Sequence, residues 1–441
     1  MAHLTEAAGL LRSGALYPRR VGFRGPDGED GFAGFKPGGF SLYYGDAPIY
    51  HFDFEGRWQR AFVAGTHYLK GLDASVRSID RERVGESMIL RRRPLSESET
   101  SGLDRSIRDV AAGMIEALDA GRLDLQAPPT SPRSGTIGVG ELREFLGRVA
   151  AWDGPAWAAH RELYEAAYGP LPFLPPDALN AVVLQATVGH AGGRAFGGGR
   201  PAEFRARRPG EFEDHARRVA DLLGRRLSQC RDIFLGGPDV LRRPVEEILA
   251  DLAATARVFP VRPEIGRPKS SPVDESASRI ERVHAFLDDY RAPLPDLDGW
   301  RRLREAHLGR VTLGIDSGDP ATRAAKGPTR DDRDLIRTAR DLRSAGIDLG
   351  VVVLVDPSGR SSAPSGCEAT AGLVSALGLG PGEIVSLVDA RGLDETAAGE
   401  ADRPDDAAVA GWVAGFKARL TAATPSKGPR VVVYNPDKQW T

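Results

Sequence analysis

Cysteine is nearly missing from this chain: Cys230 and Cys367 are the only two among 441 residues. Two thiols exclude a disulfide framework and make a reducing cytoplasm the expected compartment. Charge of one sign is missing as well. The 59 basic and 61 acidic residues nearly cancel, leaving a net charge of -2, so no global field draws the protein to nucleic acid or to an anionic membrane. No apolar run approaches the roughly 18 residues of a membrane-spanning helix. The opening MAHLTEAAGLLRSGALYPRR has a short apolar patch, no basic residue ahead of it and no obvious cleavage site, and is not read as a signal peptide. CxxC and HExxH motifs are absent, and no Ser/His/Asp or Cys/His catalytic signature stands out.

What is present is an ordinary balance of apolar and charged residues, enough for one large core and one small one. The glycine-rich GFRGPDGEDGFAGFKPGGF, residues 22–40, is expected to form loops or an arm. Residues 40–93 read as strands, because Tyr50, Phe52 and Phe54 alternate with His51, Asp53 and Glu55. LSESETSGL then places serine and glutamate as in a capping box, opening a helix whose apolar face runs through Leu103, Ile107, Val110, Met114 and Leu118. Residues 1–125 are thus expected to form a small α+β accessory domain. Residues 126–175 are expected to be a linker and a helical segment, with QAPPTSPRSGT at its start and the proline cluster PLPFLPPDAL marking its end.

From 176 to 441 the pattern is regular. Apolar runs near 180–187, 231–237, 282–290, 310–316, 350–356, 383–389 and 430–435 alternate with segments of helical period. That is six β/α units and a closing strand. Such alternation implies parallel pairing with right-handed crossovers. The expected fold is α/β, a partial (β/α)6-type barrel, since a full barrel needs eight units; a doubly wound open sheet is the alternative. In either architecture chemistry belongs at the C-terminal ends of the strands. The sequence there supplies TVGHAGGRAFGGGR (187–200), GGPD (236–239), Asp288, Asp289 and Tyr290, DSGDP (316–320) and DPSGR (356–360). Glycine and aspartate recur, and they serve turns and helix caps equally well.

The run REAHLGRVTLGIDSGDPATRAAKGPTRDDRDLIRTARDLRSAGIDLGVVVLV resembles the fourth and fifth β/α units of radical S-adenosylmethionine (radical SAM) enzymes. VVLQATVGH resembles their first strand and cluster loop, IFLGGPDVL their second strand and its Gly-Gly segment, and LGPGEIVSLVD the approach to the sixth strand of some members. The resemblance covers residues 175–435 in the correct order. It implies a [4Fe–4S] cluster held by three cysteines of the first loop, with S-adenosylmethionine on the open iron. By the same resemblance, Gly236 and Gly237 would meet the methionine amino group, with Pro238 where an acid is often seen and Asp239 as its substitute. Asp316 and Ser317 would face the cofactor, and Lys326 matches a basic position. The chain departs from the family at the cluster: His190 stands at the first cysteine position, and Arg194, Ala195, Gly197 and Gly198 fill the others. Alanine and glycine have no ligating side chain and arginine stays protonated, so the cluster is predicted absent.

Three readings follow: a non-radical binding or partner protein that retains S-adenosylmethionine or nucleoside affinity, with a protein partner met through the N-terminal domain; an enzyme working by non-radical chemistry, with His190 or Asp316 as catalytic candidates; and, most disfavoured, a radical enzyme with unusual ligation. Two further features have their own alternatives. The glycine-rich loop with Arg194, Arg200, Arg205 and Arg207 is a relic loop or an anion nest. His51, Asp53 and His67 are a metal site or, preferably, a solvated or partner-facing strand surface. Arg91, Arg92 and Arg93 read as an exposed strand end.

Overall fold

The computed structural model describes residues 19–25, 28–36, 39–84, 87–126, 135–169, 171, 174–189, 204–259, 261, 280–290, 293–315, 317–320, 323, 331–355, 364–389, 406–424 and 428–434. Among these, no helix is long and apolar enough to cross a membrane.

The N-terminal part is built on a ten-stranded sheet. Strands β1 (Arg19–Arg24), β2 (Asp30–Lys36), β3 (Gly39–Tyr44), β4 (Ile49–Phe52), β5 (Trp58–Val63), β6 (Thr66–Lys70), β7 (Val76–Val84) and β8 (Ser87–Pro94) form an antiparallel meander in chain order. β9 (Asp124–Gln126) and β10 (Gly135–Thr136) both pair with β1. The glycine-rich stretch is therefore not a loop or an arm: it supplies three strands. The phenylalanines decide this. Phe23, Phe35 and Phe40 are buried in the sheet's core. Gly31 lies opposite Phe23 in the β1–β2 register, and a side chain there would overlap the Phe23 ring, whose carbons lie 2.1 Å from an ideal Cβ. The glycine thus makes room for an aromatic side chain on the neighbouring strand.

Helix α1 (Glu97–Asp119) starts at the expected capping box, Ser96 with Glu99, and buries Ile107 and Met114. Helices α2 (Val139–Ala150) and α3 (Gly154–Ala167) follow. Leu142, Phe145, Leu146, Val149 and Trp157 join the sheet's core. The linker residues 127–134 lie outside the described residues.

The C-terminal part is a seven-stranded parallel sheet of β11 (Val182–Gln185), β14 (Asp232–Gly236), β15 (Arg282–Leu287), β16 (Leu308–Ile315), β17 (Asp348–Val355), β18 (Ile384–Asp389) and β19 (Arg430–Val433). A two-stranded antiparallel ribbon, β12 (Thr187–Val188) with β13 (Arg205–Ala206), branches from the first strand. Between strands run α4 (Pro209–Leu223), α5 (Val245–Val258), α6 (Leu297–Glu305), α7 (Asp332–Ser344), α8 (Pro364–Ala376) and α9 (Asp406–Ala423). All six β/α units and the closing strand expected from the sequence are present. The strands lie in strict chain order, with no reversal and hence no topological switch point, which excludes the doubly wound alternative.

Alternation on the middle strands gives the two faces different work. Val283, Ala285, Val311, Leu313, Val351, Val353, Val385 and Leu387 enter the main core with helix residues such as Leu335, Ala339, Leu342 and Val374. On the opposite face, Phe286, Val352, Leu354, Val388 and Tyr434 form a separate apolar cluster toward the C-terminal ends. Nearer the N-terminal ends that face carries charge: Arg310 pairs with Asp177 at 2.9 Å, His284 stands 3.4 Å from Asp232, and Arg282 pairs with Asp348 at 3.0 Å. Of these contacts only Arg310–Asp177 is buried on both sides, so there each charge compensates the other.

Candidate functional site at the C-terminal ends of the parallel strands

Because every strand of the second sheet points the same way, the segments after β11, β14, β15, β16, β17 and β18 all leave from one edge. His190, Asp316, Lys326, Arg194 and Arg200 lie outside the described residues, as does the whole of 190–203. Gly236, Gly237, Asp239 and Ser317 are described and all stand at this edge.

The entrance to the glycine-rich loop is held tightly. Thr187 pairs with Ala206 and Val188 with Arg205, so the loop leaves and returns through one ribbon. The strand before it is fixed by a histidine: the Gln185 backbone N–H donates to His215 Nε2 at 2.8 Å, and His215 Nδ1 donates to the Ala167 carbonyl at 2.9 Å. The first contact requires a neutral imidazole, since Nε2 must accept, and the second then fixes the proton on Nδ1. Burial, with Arg207 nearby, pushes its pKa down to about 3. Arg207 Nε donates to the Gln185 carbonyl at 2.8 Å, and Arg205 pairs with Glu211 at 2.9 Å. Two of the four arginines named for an anion nest are thus engaged with the protein itself.

The Gly236–Asp239 turn packs against this ribbon. The Ala186 N–H donates to the Gly236 carbonyl at 2.9 Å. Gly237 has φ +113°, and an ideal Cβ would lie 2.2 Å from Thr187 Oγ1; glycine is required by conformation and by close approach. Thr187 Oγ1 donates to the Pro238 carbonyl at 2.6 Å. Asp239 adopts the left-handed conformation, φ 53° and ψ 20°. Arg242 lies 3.2 Å from Asp239 and 2.9 Å from Asp289, linking the segments after β14 and β15. Tyr290 Oη donates to the Gly314 carbonyl at 2.7 Å, carrying the connection to the end of β16.

Ser317 is buried, and its hydroxyl oxygen accepts from the Asp319 N–H at 3.1 Å while its carbonyl accepts from Arg323 at 2.7 Å. Arg323 also pairs with Asp332. Gly318 donates to Thr370 Oγ1 at 2.8 Å, and a Cβ there would fall 2.2 Å from the Thr370 backbone. This segment is a turn locked onto α8. A belt of polar contacts therefore runs across four strand ends, Thr187 to Pro238, Asp239 to Asp289, and Tyr290 to Gly314. Sequence reasoning named Asp239, Asp289 and Tyr290 but missed Arg242 and His215. Arg242 follows the glycine motif by only five residues, and its sole sequence signal is a charge directly after two apolar residues, Val240 and Leu241.

The three-cysteine ligand set that the resemblance implies is not in the first loop of the sequence. The chain has two thiols, both buried. Cys230 precedes β14, at the N-terminal edge, and Cys367 lies in α8 with its thiol against the Trp412 carbonyl. Among the described residues no group of three His, Cys, Asp or Glu side chains is placed to hold a metal. At the N-terminal candidates, His51 Nδ1 contacts Ser41 Oγ at 2.8 Å, the His67 ring packs tilted on Phe62, and Asp53 is buried in an ion pair with Arg57 at 2.7 Å.

That pair has a different use. Arg57 donates to the Leu222 and Leu223 carbonyls in the last turn of α4, at 2.8 and 2.9 Å. Arg225, just beyond that helix, pairs with Glu55 at 3.3 Å. The N-terminal sheet thereby caps the helix whose His215 fixes the end of β11.

No protein-family model matches the sequence, and no curated protein matches it. Solved structures similar to the chain include coproporphyrinogen III oxidase HemN from Escherichia coli, a radical SAM enzyme, at 13% identity and TM-score 0.39 over 62% of this chain and 57% of that one. The radical S-adenosylmethionine methyltransferase TsrM from Kitasatospora setae aligns at 14% identity and TM-score 0.33 over 50% of this chain and 37% of its own. The FeFe-hydrogenase maturase HydG from Carboxydothermus hydrogenoformans aligns at 15% identity and TM-score 0.33 over 74% and 67% of the two chains. The aligned region thus spans little more than half of HemN and about a third of TsrM.

Proposed function

We propose that residues 176–441 form a radical-SAM-like partial (β/α)6-type barrel, preceded by an accessory α+β domain, and that the protein binds S-adenosylmethionine or a related nucleoside without radical chemistry. The accessory domain is then the surface for a protein partner. The observation that carries this reading is the coincidence of two facts. The parallel strands follow chain order, so the resembling segments share one edge, and the segment after the first strand contains no thiol. On this reading such a scaffold would keep backbone and carboxylate contacts for the ligand and would lack the electron donor that a cluster supplies. Gly236, Gly237 and Asp239 would hold the methionine end, and Asp316 and Ser317 would face the nucleoside.

Two measurements test it. Calorimetric titration with S-adenosylmethionine is expected to give saturable one-to-one binding; no heat and no thermal shift would remove the cofactor role. Anaerobic incubation with iron and sulfide is expected to leave the protein colourless after desalting. Near four irons per chain, with broad visible absorbance, would overturn the non-radical part.

A further inference from the structure

We propose that Arg242 is a positioning residue of this site: by holding Asp239 and Asp289 on one guanidinium it clamps the segments after β14 and β15, and so fixes the shape of the turn that meets the ligand. The proposal rests on the ligand-binding reading above for its binding readout, and on the geometry alone for its second readout.

The turn is anchored on both sides of Asp239. Upstream, Thr187 Oγ1 holds the Pro238 carbonyl and Gly237 sits flat on the Thr187 backbone. Downstream, Val240 and Leu241 are fully buried, and Arg243 donates to the Val240 carbonyl while pairing with the buried Asp251. Between these anchors Asp239 is held in a left-handed conformation that side-chain-bearing residues seldom adopt. Two contacts compensate. The Arg242 N–H donates to the Asp239 carbonyl at 3.0 Å, and Arg242 Nη1 meets the Asp239 carboxylate. Among the described residues, Arg242 is the only partner of that carboxylate. The same Nη1 reaches Asp289, whose carboxylate is buried. The Arg242 guanidinium is thus directed toward both carboxylates through one terminal nitrogen. Without its guanidinium, the Asp239 and Asp289 carboxylates lose the cation they share, and the Asp239 turn is left with only the main-chain bond from residue 242.

The test uses the full chain in five forms: unaltered, Arg242→Ala, Arg242→Lys, Asp239→Asn and the Arg242→Ala/Asp239→Asn double variant. S-adenosylmethionine is titrated into each, and Arg242→Ala is titrated again in low-millimolar guanidinium. Hydrogen exchange is followed across residues 236–241. Arg242→Ala is expected to weaken binding about ten-fold or more, equivalent to about 1.4 kcal/mol. Free guanidinium is expected to recover most of that loss and Arg242→Lys only part of it, since an ammonium lacks the planar fork. Asp239→Asn is expected to weaken binding, and Arg242→Ala added to it to cost less than it does alone. Exchange across 236–241 is expected to quicken in Arg242→Ala. Unchanged affinity, or a loss that guanidinium does not restore, overturns the clamp. If the unaltered protein does not bind S-adenosylmethionine, the ligand reading fails and exchange alone decides the clamp: unchanged rates across 236–241 overturn it, and quickened rates sustain it.

Discussion

Arg57 is the single residue whose loss should be felt most widely. It lies in the turn before β5, almost fully buried, with its Nε on Asp53 and its two terminal nitrogens on the Leu222 and Leu223 carbonyls. Asp53, entirely buried, also accepts from the Glu55 and Arg57 backbone N–H groups at 2.9 and 3.0 Å. In Arg57→Ala the carboxylate keeps its backbone donors but loses its counter-charge, and two carbonyls at the end of α4 lose their donors. Breaking one side of a buried ion pair costs about 3–5 kcal/mol, and the carbonyl losses overlap with that figure rather than add to it. Against a domain stability of about 5–15 kcal/mol this is about a fifth or more. Arg57→Lys keeps the charge but not the fork, and is expected to recover less than half. Urea denaturation followed by tryptophan fluorescence reads this out in both parts of the chain. Trp157 lies in the first core and Trp300 and Trp412 in the second, so Trp→Phe variants separate the signals. A stability of Arg57→Ala within about 1 kcal/mol of the unaltered protein would refute the reasoning that this pair couples the two cores.

Stability should also fall in mild acid. Burial, named first among the causes, pushes His51 and His160 down to about 4 and His215 to about 3. An unfolded histidine titrates near 6.5, so the unfolded chain takes up protons that the folded chain refuses. The contribution is complete above pH ~6.5 and is lost as pH falls toward 4, by at most ~1.4 kcal/mol per pH unit for each histidine; equal urea midpoints at pH 7 and pH 5 would contradict this. Gly237→Ala should cost about 3 kcal/mol and abolish S-adenosylmethionine binding, because the new methyl group meets Thr187 backbone as well as side chain at a φ that disfavours it; a folded variant that binds normally would show that the turn has slack. Gly318→Ala should lower the melting temperature by several degrees through its overlap with the Thr370 backbone, and an unchanged melting temperature would show that the turn and α8 can separate.

Most of the β/α scaffold was readable from the sequence, because buried parallel strands are continuous apolar runs and their helices carry a 3.6-residue period. GVVVLVD and EIVSLVD are examples, and the structure places β17 and β18 there. The capping box at Ser96 was equally legible, since its partners lie three residues apart. The first strands were not. Their glycines mimic loop composition, and only the partner strand reveals that Gly31 exists to admit the Phe23 ring. Site chemistry divided in the same way. Residue types at strand ends pointed to Gly236, Gly237, Asp239 and Ser317. Local patterns carried no sign that Ser317 caps its own turn, or that Asp239 shares a guanidinium with Asp289, fifty residues on.

The sequence alone therefore determined the repeating α/β class, the number of units, the chain order of the segments at the site edge and the absence of thiols from the first of them. These are properties of composition and of periods shorter than one element. Only the tertiary structure decided that the sheet runs in chain order without a switch point, that the polar residues opposite the helices gather at its N-terminal end, and that Arg57 and Arg242 tie together segments distant in the chain. Those outcomes depend on which long-range pairs satisfy buried charge and backbone at once. No local window contains both partners of such a pair.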